Sequence, residues 1–400
     1  MRGSRLTGAA VAESSSSGGG APPRPRSYDV IVVGLGAMGS AAAYHLARRR
    51  QRVLGLEAFT LGHTFGSSHG ESRITRQAYY EHPSYVPLLL RAYSLWETLQ
   101  QEAGTELLRL TGGLFVGRPQ GHLVTGSLHS ARLHQLPHEV IDAAEIRRRY
   151  PQCQVRDDQV AVFEPRAGIL FPERCIEAHL RLAGAAGAEL RYDEPMRAWS
   201  AAGDGLEIRT DSGRYRAPRV VFTAGSWLGP LLADLRLPLQ PERNVVFWLQ
   251  PQRTPEQFEP DRFPIFIWET EDAGTFYGVP HLQRPGVKVA RHHSGETCRP
   301  ETVRREADAA DELPVRRFVK QAMPALDGPV AGSVVCLYTN TPDEHFVIDR
   351  HPSVPGLFYA GGFSGHGFKF SSVVGEILAD LVTEGQATAD ADFLRADRLR

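Results

Sequence analysis

Apolar residues fall along this chain in two patterns: short unbroken runs that suit strands buried on both faces, and longer stretches with helical spacing. The first short run is Val30 to Val33. Gly34-Leu-Gly36-Ala-Met-Gly39 follows it, then an alanine-rich run to Arg50 that predicts a helix, then a second strand ending at Glu57. Beyond a polar loop, Gly62 to Arg76, the spacing of Leu88, Leu89, Ala92, Leu95, Trp96 and Leu99 predicts an amphipathic helix over Ser84 to Glu102. Leu110 to Gly117 predicts strand-turn-strand around Gly112-Gly113, and Ala143 to Tyr150 a short helix stopped by Pro151.

A second series begins near Val160. Ile169 to Gly187 predicts a helix with Pro172 in its first turn, followed by a strand from Ala188. Asp211-Ser-Gly213 between Leu206–Thr210 and Tyr215–Arg219 is a hairpin signal, and Arg219 to Trp227 holds another buried strand. Leu237 to His293 is dominated by strand-like apolar and aromatic runs, and Glu301 to Met323 predicts a charged helix. Gly356 to Gly362 predicts a last strand with a glycine end, and Ser371 to Thr383 a closing helix. Strands resembling the first are scattered over separated parts of the chain, which predicts two domains, each discontinuous in sequence.

Composition adds bounds. The 400 residues suffice for a sizeable core, and 42% apolar with 23% charged residues is ordinary for a globular protein. A formal net charge of -1 gives no footprint for nucleic acid or an anionic membrane. The longest apolar stretch, Val30 to Ala47, contains the glycine motif, Tyr44 and His45, so it reads as a buried strand and helix and not as a membrane span. Cys153, Cys175, Cys298 and Cys336 are widely spaced, which argues against a disulfide framework or zinc site and for a reducing, cytoplasmic compartment. Residues 1–26 contain a Ser/Gly tract and a Pro/Arg tract, and read as a disordered extension, with an organellar transit peptide as the other reading.

The chemistry starts at the glycine motif. Gly34 permits a tight turn, Gly36 a close approach of backbone to a pyrophosphate, and Gly39 close packing of helix on strand. The helix N-terminus then offers free N–H groups and positive dipole to phosphates. Glu57, 18 residues after Gly39, is placed to accept ribose hydroxyls, favouring FAD or NAD over NADP. The alternative is a tightly packed helix with no ligand. Three other clusters carry candidate chemistry: Ser67 to Arg76, Tyr277 to His293 and Cys336 to Lys369.

With these residues in view, the chain resembles the monomeric sarcosine oxidase family, which includes N-methyltryptophan and pipecolate oxidases and belongs with the D-amino-acid and glycine oxidases. The likeness spans about Tyr28 to Leu381. Its specific pieces are Gly66-Ser-Ser-His-Gly-Glu-Ser-Arg-Ile-Thr-Arg76, Cys336-Leu-Tyr-Thr-Asn-Thr-Pro-Asp-Glu-His-Phe-Val-Ile-Asp349 and Gly361-Gly-Phe-Ser-Gly-His-Gly-Phe-Lys-Phe-Ser-Ser372. The resemblance implies an α/β (α+β overall) architecture, a Rossmann-like FAD-binding domain interleaved with a mixed, largely antiparallel-sheet substrate domain. The expected division is 27–90, 145–230 and 321–385 for FAD, 91–144 and 231–320 for substrate, and 386–400 as a tail.

The resemblance also implies site roles. Cys336 matches the position of covalent FAD attachment, an 8α-S-cysteinyl thioether. Arg73 matches an arginine against the flavin ring, and Ser68, His69, Gly362 and Gly365 fall in the cofactor motifs. Arg76 and Lys369 match the pair holding a substrate carboxylate, a task suited to a guanidinium fork and a point charge. Lys288 matches the lysine over the flavin face where O₂ is reduced, and a preorganised cation would stabilise developing superoxide. His292 matches a histidine near the substrate amine, and Tyr277 and Tyr338 match pocket aromatics. His345 and His366 match motif histidines near the flavin, whereas His293 reads as structural. Trp268 falls near a pocket position, where its bulk would set the volume. The implied reaction is oxidation of a secondary amino acid to an imine that hydrolyses to amine and aldehyde, with O₂ reduced to H₂O₂. Sarcosine is the first expected substrate, then N-methyltryptophan or another N-methyl amino acid, then pipecolate. The expected enzyme is a metal-free monomer. Its rivals are a flavin dehydrogenase using an electron carrier and a flavin-binding redox sensor.

Overall fold

The structure, a computed structural model, describes residues 25–272, 274–293 and 295–399. The expected disordered extension therefore lies, up to residue 24, outside the described residues. Arg26–Ser27 forms a short strand beside Arg214–Ala217.

Val30–Val33, wholly buried, is a central strand of a six-stranded sheet. Across that sheet run Glu189–Arg191, Val53–Leu56, Val30–Val33, Arg219–Phe222, Leu357–Gly361 and Val347–Arg350, all parallel except the last. Strand alternation gives it two apolar faces. Val30 and Val32 join the core made with the helices Ala37–Arg48, Val86–Ala103, Pro172–Ala185 and Ser371–Thr383. Ile31 and Val33 face the opposite core, built with the antiparallel strands Ala198–Ala202, Gly205–Arg209 and Arg214–Ala217. Gly34 turns the chain at φ +92°, and a Cβ at Gly39 would overlap the Gly34 carbonyl oxygen, so the helix can lie this close only without a side chain there.

A nine-stranded mixed sheet forms the second layer system. Its long strands, Gln240–Leu249 and Val330–Asn340, pair antiparallel along most of their lengths. Val287–His292, Thr275–Val279 and Ile265–Glu269 follow as an antiparallel series, and Ile265–Glu269 lies parallel to Gly113–Gly117. Val160–Glu164 and Val330–Asn340 belong to this sheet, although their positions in the chain fall within ranges expected for the FAD unit. Short apolar runs do not reveal which sheet edge will take them, because both sheets bury them equally.

The other expected elements form, with two differences. The helix expected from Glu301 begins at Ala309, where Asp308 and Asp311 make a reciprocal capping box. Buried Arg243 explains the delay, since its guanidinium takes the Arg304 and Glu306 carbonyls that a helix would have used. Ile169 opens no helix. Gly168–Leu170 is a strand between Arg73–Thr75 and Leu108–Leu110, and the helix starts at Pro172. In the C-terminal tail Leu394 and Ala396 are buried. No described helix is long and apolar enough to cross a membrane.

The glycine contact yields a stability prediction. Gly39→Ala should lower the unfolding free energy by roughly 1–3 kcal/mol, the usual cost of overpacking. A urea midpoint equal to that of the parent protein would contradict this packing.

Candidate functional site

Between the two sheets lies a cavity of about 920 Å³. Its glycine end is formed by the Gly34–Gly36 turn, Glu57 and Ser68. A Cβ on Gly36 would meet nothing closer than Ser68 Oγ at 3.6 Å, so the backbone is open to a ligand there. The N-cap of the helix that starts at Ala37 is Gly36, which brings no capping side chain, and of its first amides the Ala37 N–H meets Ser68 Oγ at 3.3 Å. The helix's N–H groups and dipole suit a pyrophosphate, and this end fits a dinucleotide. The Glu57 carboxylate accepts from the Leu35 N–H (2.8 Å) and the Phe59 N–H (3.2 Å). Burial raises its pKa despite these donors.

The middle of the cavity is marked by Cys336, 4% exposed and on the wall. Its Sγ lies 3.7 Å from His69 Nε2 and 3.8 Å from Arg73 Nη2. Burial alone would raise the thiol pKa. His69, Arg73 and Lys288 more than reverse this and hold it at about 6. Arg73 is fixed by donating to the Ser72 and Ser67 carbonyls. His69 stands just behind the wall and donates Nε2–H to the Val335 carbonyl (3.0 Å), leaving buried Nδ1 without a partner among the described residues.

At the far end, Arg76, Lys369, Tyr277, Tyr338, His292 and His366 line the wall. Arg76 is 2% exposed, and its guanidinium is already engaged by both oxygens of Glu81 (2.5 and 2.7 Å). Burial would raise the Glu81 pKa, but Arg76 holds it at about 2, so the pair stays ionised. Lys369 Nζ donates to the His366 carbonyl (2.6 Å), and burial first, then Arg76, lowers its pKa to about 7. His292 Nδ1 lies 3.3 Å from Tyr338 Oη, and burial followed by His293 pushes its pKa well down, so the ring is neutral. Gly362 and Gly365 also line the wall, and a Cβ at Gly365 would overlap the Tyr338 ring.

Three expectations change. Lys288 is not on the cavity wall: its ammonium stands one layer behind, donating to the Gly70 (2.8 Å) and Ser72 (2.7 Å) carbonyls. Burial and then Arg73 lower its pKa to about 7. Trp268 faces away from the cavity and packs edge-on against Phe318 in the core beneath the nine-stranded sheet. Strand alternation puts Ile267 on the wall instead. His345 is held by Tyr85 (3.1 Å), off the wall. Gly39 packs helix against strand, as its place in the motif predicts, and does not line the cavity. His293 is tied to Glu242 (3.1 Å), as expected of a structural histidine.

Three acids were not singled out from the sequence. Glu81 carried no signal beyond its place in Tyr79-Tyr80-Glu81. Glu173 reads as an ordinary acid in a helix's first turn, yet it accepts the Gly70 and Glu71 N–H groups and lines the cavity. Glu164 is buried and takes the Gln77 and Ala78 N–H groups (2.7 and 2.9 Å), clamping the loop after Arg76. Among the described residues, no group of side chains could hold a metal ion.

The family model described as FAD dependent oxidoreductase (DAO) matches residues 29–381. A monomeric sarcosine oxidase from Streptomyces avermitilis is 48% identical over 90% of this chain and 94% of its own length. An N-methyl-L-tryptophan oxidase from Citrobacter koseri is 35% identical over 90% of this chain and 96% of its own. Among solved structures, NikD, an amino acid oxidase essential for nikkomycin biosynthesis, superposes with a TM-score of 0.80 at 26% identity, covering 93% of this chain and 98% of that one.

The Cys336 environment predicts selective alkylation. In flavin-free protein, iodoacetamide should modify Cys336 before the other cysteines at pH 7, with a midpoint near pH 6. Burial pushes Cys153 up to about 12 and also raises Cys175 and Cys298. Peptide mass spectrometry across pH 5–9 reads this directly. First labelling at Cys298 would refute it.

Proposed function

The chain belongs to the FAD dependent oxidoreductase family, and on that premise we propose that it is an oxidase of N-methyl amino acids, with sarcosine as substrate. One observation carries the reading: Arg76, Lys369 and the Cys336–Arg73 pair converge on one cavity whose other end fits a dinucleotide. The 48% identity to a monomeric sarcosine oxidase supports the choice of substrate.

The Gly34–Gly36 turn and Glu57 would hold FAD at one end of the cavity, with Arg73 by its ring, and FAD would supply the oxidant. A hydride equivalent would leave the carbon attached to nitrogen and a proton the nitrogen, giving the imine, with two electrons and two protons going on to dioxygen as hydrogen peroxide. The chain's own residues do the rest. Arg76 and Lys369 take the substrate carboxylate, a fork and a point charge for a ligand with few other handles. Both Glu81 oxygens bond the same Arg76 nitrogen, Nη2, so Glu81 competes with the substrate carboxylate for this guanidinium. Neutral His292, beside Tyr338, borders the space left for the amine. The resulting imine hydrolyses to amine and aldehyde.

In this reading the thiolate of Cys336 would hold the flavin through its 8α carbon, and the nearness of His69 and Arg73 supports it. Formation of that bond releases a methyl proton and two electrons that the ring takes up and passes to dioxygen. Lys288 acts from behind the wall, its charge favouring electron transfer to dioxygen. The six-stranded unit would take the dinucleotide end of the cofactor, and the nine-stranded sheet supplies Cys336, Tyr277, His292 and Tyr338 to the cavity wall. The enzyme works as a monomer in the cytoplasm, and its four unpaired cysteines support a reducing compartment.

An amine panel under air with peroxide detection tests the activity. Sarcosine should give the highest kcat/KM, ahead of N-methyltryptophan and pipecolate, and no peroxide from any of them would overturn the reading. After acid precipitation the yellow colour should stay with the protein pellet, and Cys336→Ser should release it to the supernatant. Arg76→Ala should raise KM by roughly 30- to 100-fold, the worth of a charged hydrogen-bonded pair. Glu81→Gln should lower KM by removing the competing carboxylate. Unchanged KM in both variants would exclude this carboxylate site.

A further inference from the structure

Lys288 is held by more than the two carbonyls it touches. Trp248 and Lys288 are directly opposed partners on adjacent antiparallel strands, which places their side chains on the same face. The indole is 3% exposed, and the Lys288 ammonium lies 5.6 Å from its ring centroid. The guanidinium of Arg284 lies 4.5 Å from the same ring. Arg284 is fixed in turn by Glu71, with Nη2 at 2.6 Å and Nε at 2.7 Å from Oε1.

Glu71 sits between the two residues whose carbonyls hold Lys288. Its φ is +68°, a left-handed conformation that a non-glycine residue keeps only when its surroundings impose it. Here Glu173 takes the Gly70 and Glu71 N–H groups (2.7 and 3.0 Å), and Arg284 takes the Glu71 side chain. The contacts close a ring: Lys288 to the Gly70 and Ser72 carbonyls, Glu71 to Arg284, Arg284 to Trp248, and Trp248 back to Lys288. None of Glu71, Arg284 or Trp248 lines the cavity. They act on the site from outside it: Glu71 and Arg284 through Lys288 and Glu173, and Trp248 through Lys288 and the small apolar cluster it shares with Val246 and Tyr277.

We propose that Trp248, braced by the Glu71–Arg284 ion pair, is a positioning residue that fixes the Lys288 ammonium for the reaction of reduced enzyme with dioxygen. A desolvated ammonium gains from the negative face of an indole, and the flat ring blocks rotamers that would swing the lysine stem away from the two carbonyls. The proposal rests on the assignment of Lys288 to the dioxygen step.

Stopped-flow measurement of the two half-reactions tests it in the FAD-loaded enzyme. Lys288→Met, Trp248→Leu, Trp248→Phe and Arg284→Met are compared with the parent protein. Trp248→Leu should slow reoxidation by roughly 5- to 30-fold, the rate equivalent of losing a buried cation–π contact. Flavin reduction by substrate should stay within about twofold of the parent, since cavity contacts are untouched. Trp248→Phe, which keeps an aromatic face, should recover most of the reoxidation rate. Arg284→Met should lose a smaller part of it, and serves as the second variant if Trp248→Leu does not fold. Slow reoxidation in Lys288→Met with parent-like rates in the Trp248 and Arg284 variants would overturn the brace alone. Parent-like reoxidation in Lys288→Met would overturn the role of Lys288, and the brace with it. Equal slowing of both half-reactions in Trp248→Leu would reduce Trp248 to a structural residue.

Discussion

Buried positive charge is the constraint around which this structure is organised. Arg76, Lys288 and Lys369, all buried, and half-buried Arg73 surround one cavity, and each of the three buried cations would cost several kcal/mol without compensation. The chain compensates them mainly with backbone. Lys288 rests on the Gly70 and Ser72 carbonyls, Arg73 on those of Ser67 and Ser72, and Lys369 on that of His366. Arg76 alone of the four has a carboxylate, Glu81, in direct contact. Carbonyl dipoles offset desolvation only in part, so both lysines titrate near neutrality. Such a site favours anions, which suits both a substrate carboxylate and a reduced, negatively charged flavin.

The loop from Gly66 to Arg76 is the element that makes this arrangement possible. It supplies two of the four cations and the carbonyls that hold a third. Left-handed residues at Gly70 and Glu71 let the chain turn its carbonyls towards Lys288 while its amides turn to Glu173. The loop then enters the strand Arg73–Thr75, where pairing with Gly168–Leu170 fixes the direction of the two arginines. Glu164 clamps the backbone beyond Arg76. Precision in the site thus comes from acids that hold backbone amides, Glu173 on the cavity wall and Glu164 behind it.

The two sheets divide the remaining work by geometry. In the parallel sheet, strand ends and a helix N-terminus meet at the glycine turn, the usual place for a dinucleotide in an open α/β fold. In the mixed sheet, alternation along Val287–His292 puts Lys288, Ala290 and His292 on one side and Val287 and Val289 in the core. On the long strand Val330–Asn340 the four successive residues Cys336 to Thr339 all border the cavity, so alternation does not select among them there.

Local patterns in the sequence were enough for the strand-turn-helix at Val30–Arg48, the helices at Val86–Ala103 and Ser371–Thr383, and the hairpin at Asp211–Gly213. Hydrophobic period and glycine placement act within a few residues, so the chain states them directly. The motifs also named the polar residues that gather at the far end of the cavity, Arg76, Tyr277, His292, Tyr338, His366 and Lys369. What they left open depended on contacts between distant segments. Alternation could be seen around Phe266-Ile-Trp268, but only the register of that strand decided that Ile267 meets the cavity and Trp268 the core. Helical spacing ran through Glu301–Met323, yet Arg243, some sixty residues upstream, withdrew the first carbonyls from the helix. Glu81, Glu173 and Glu164 read as ordinary acids until folding buried them against a guanidinium or backbone amides. Burial and partner choice are set by the whole chain, and no local pattern encodes them.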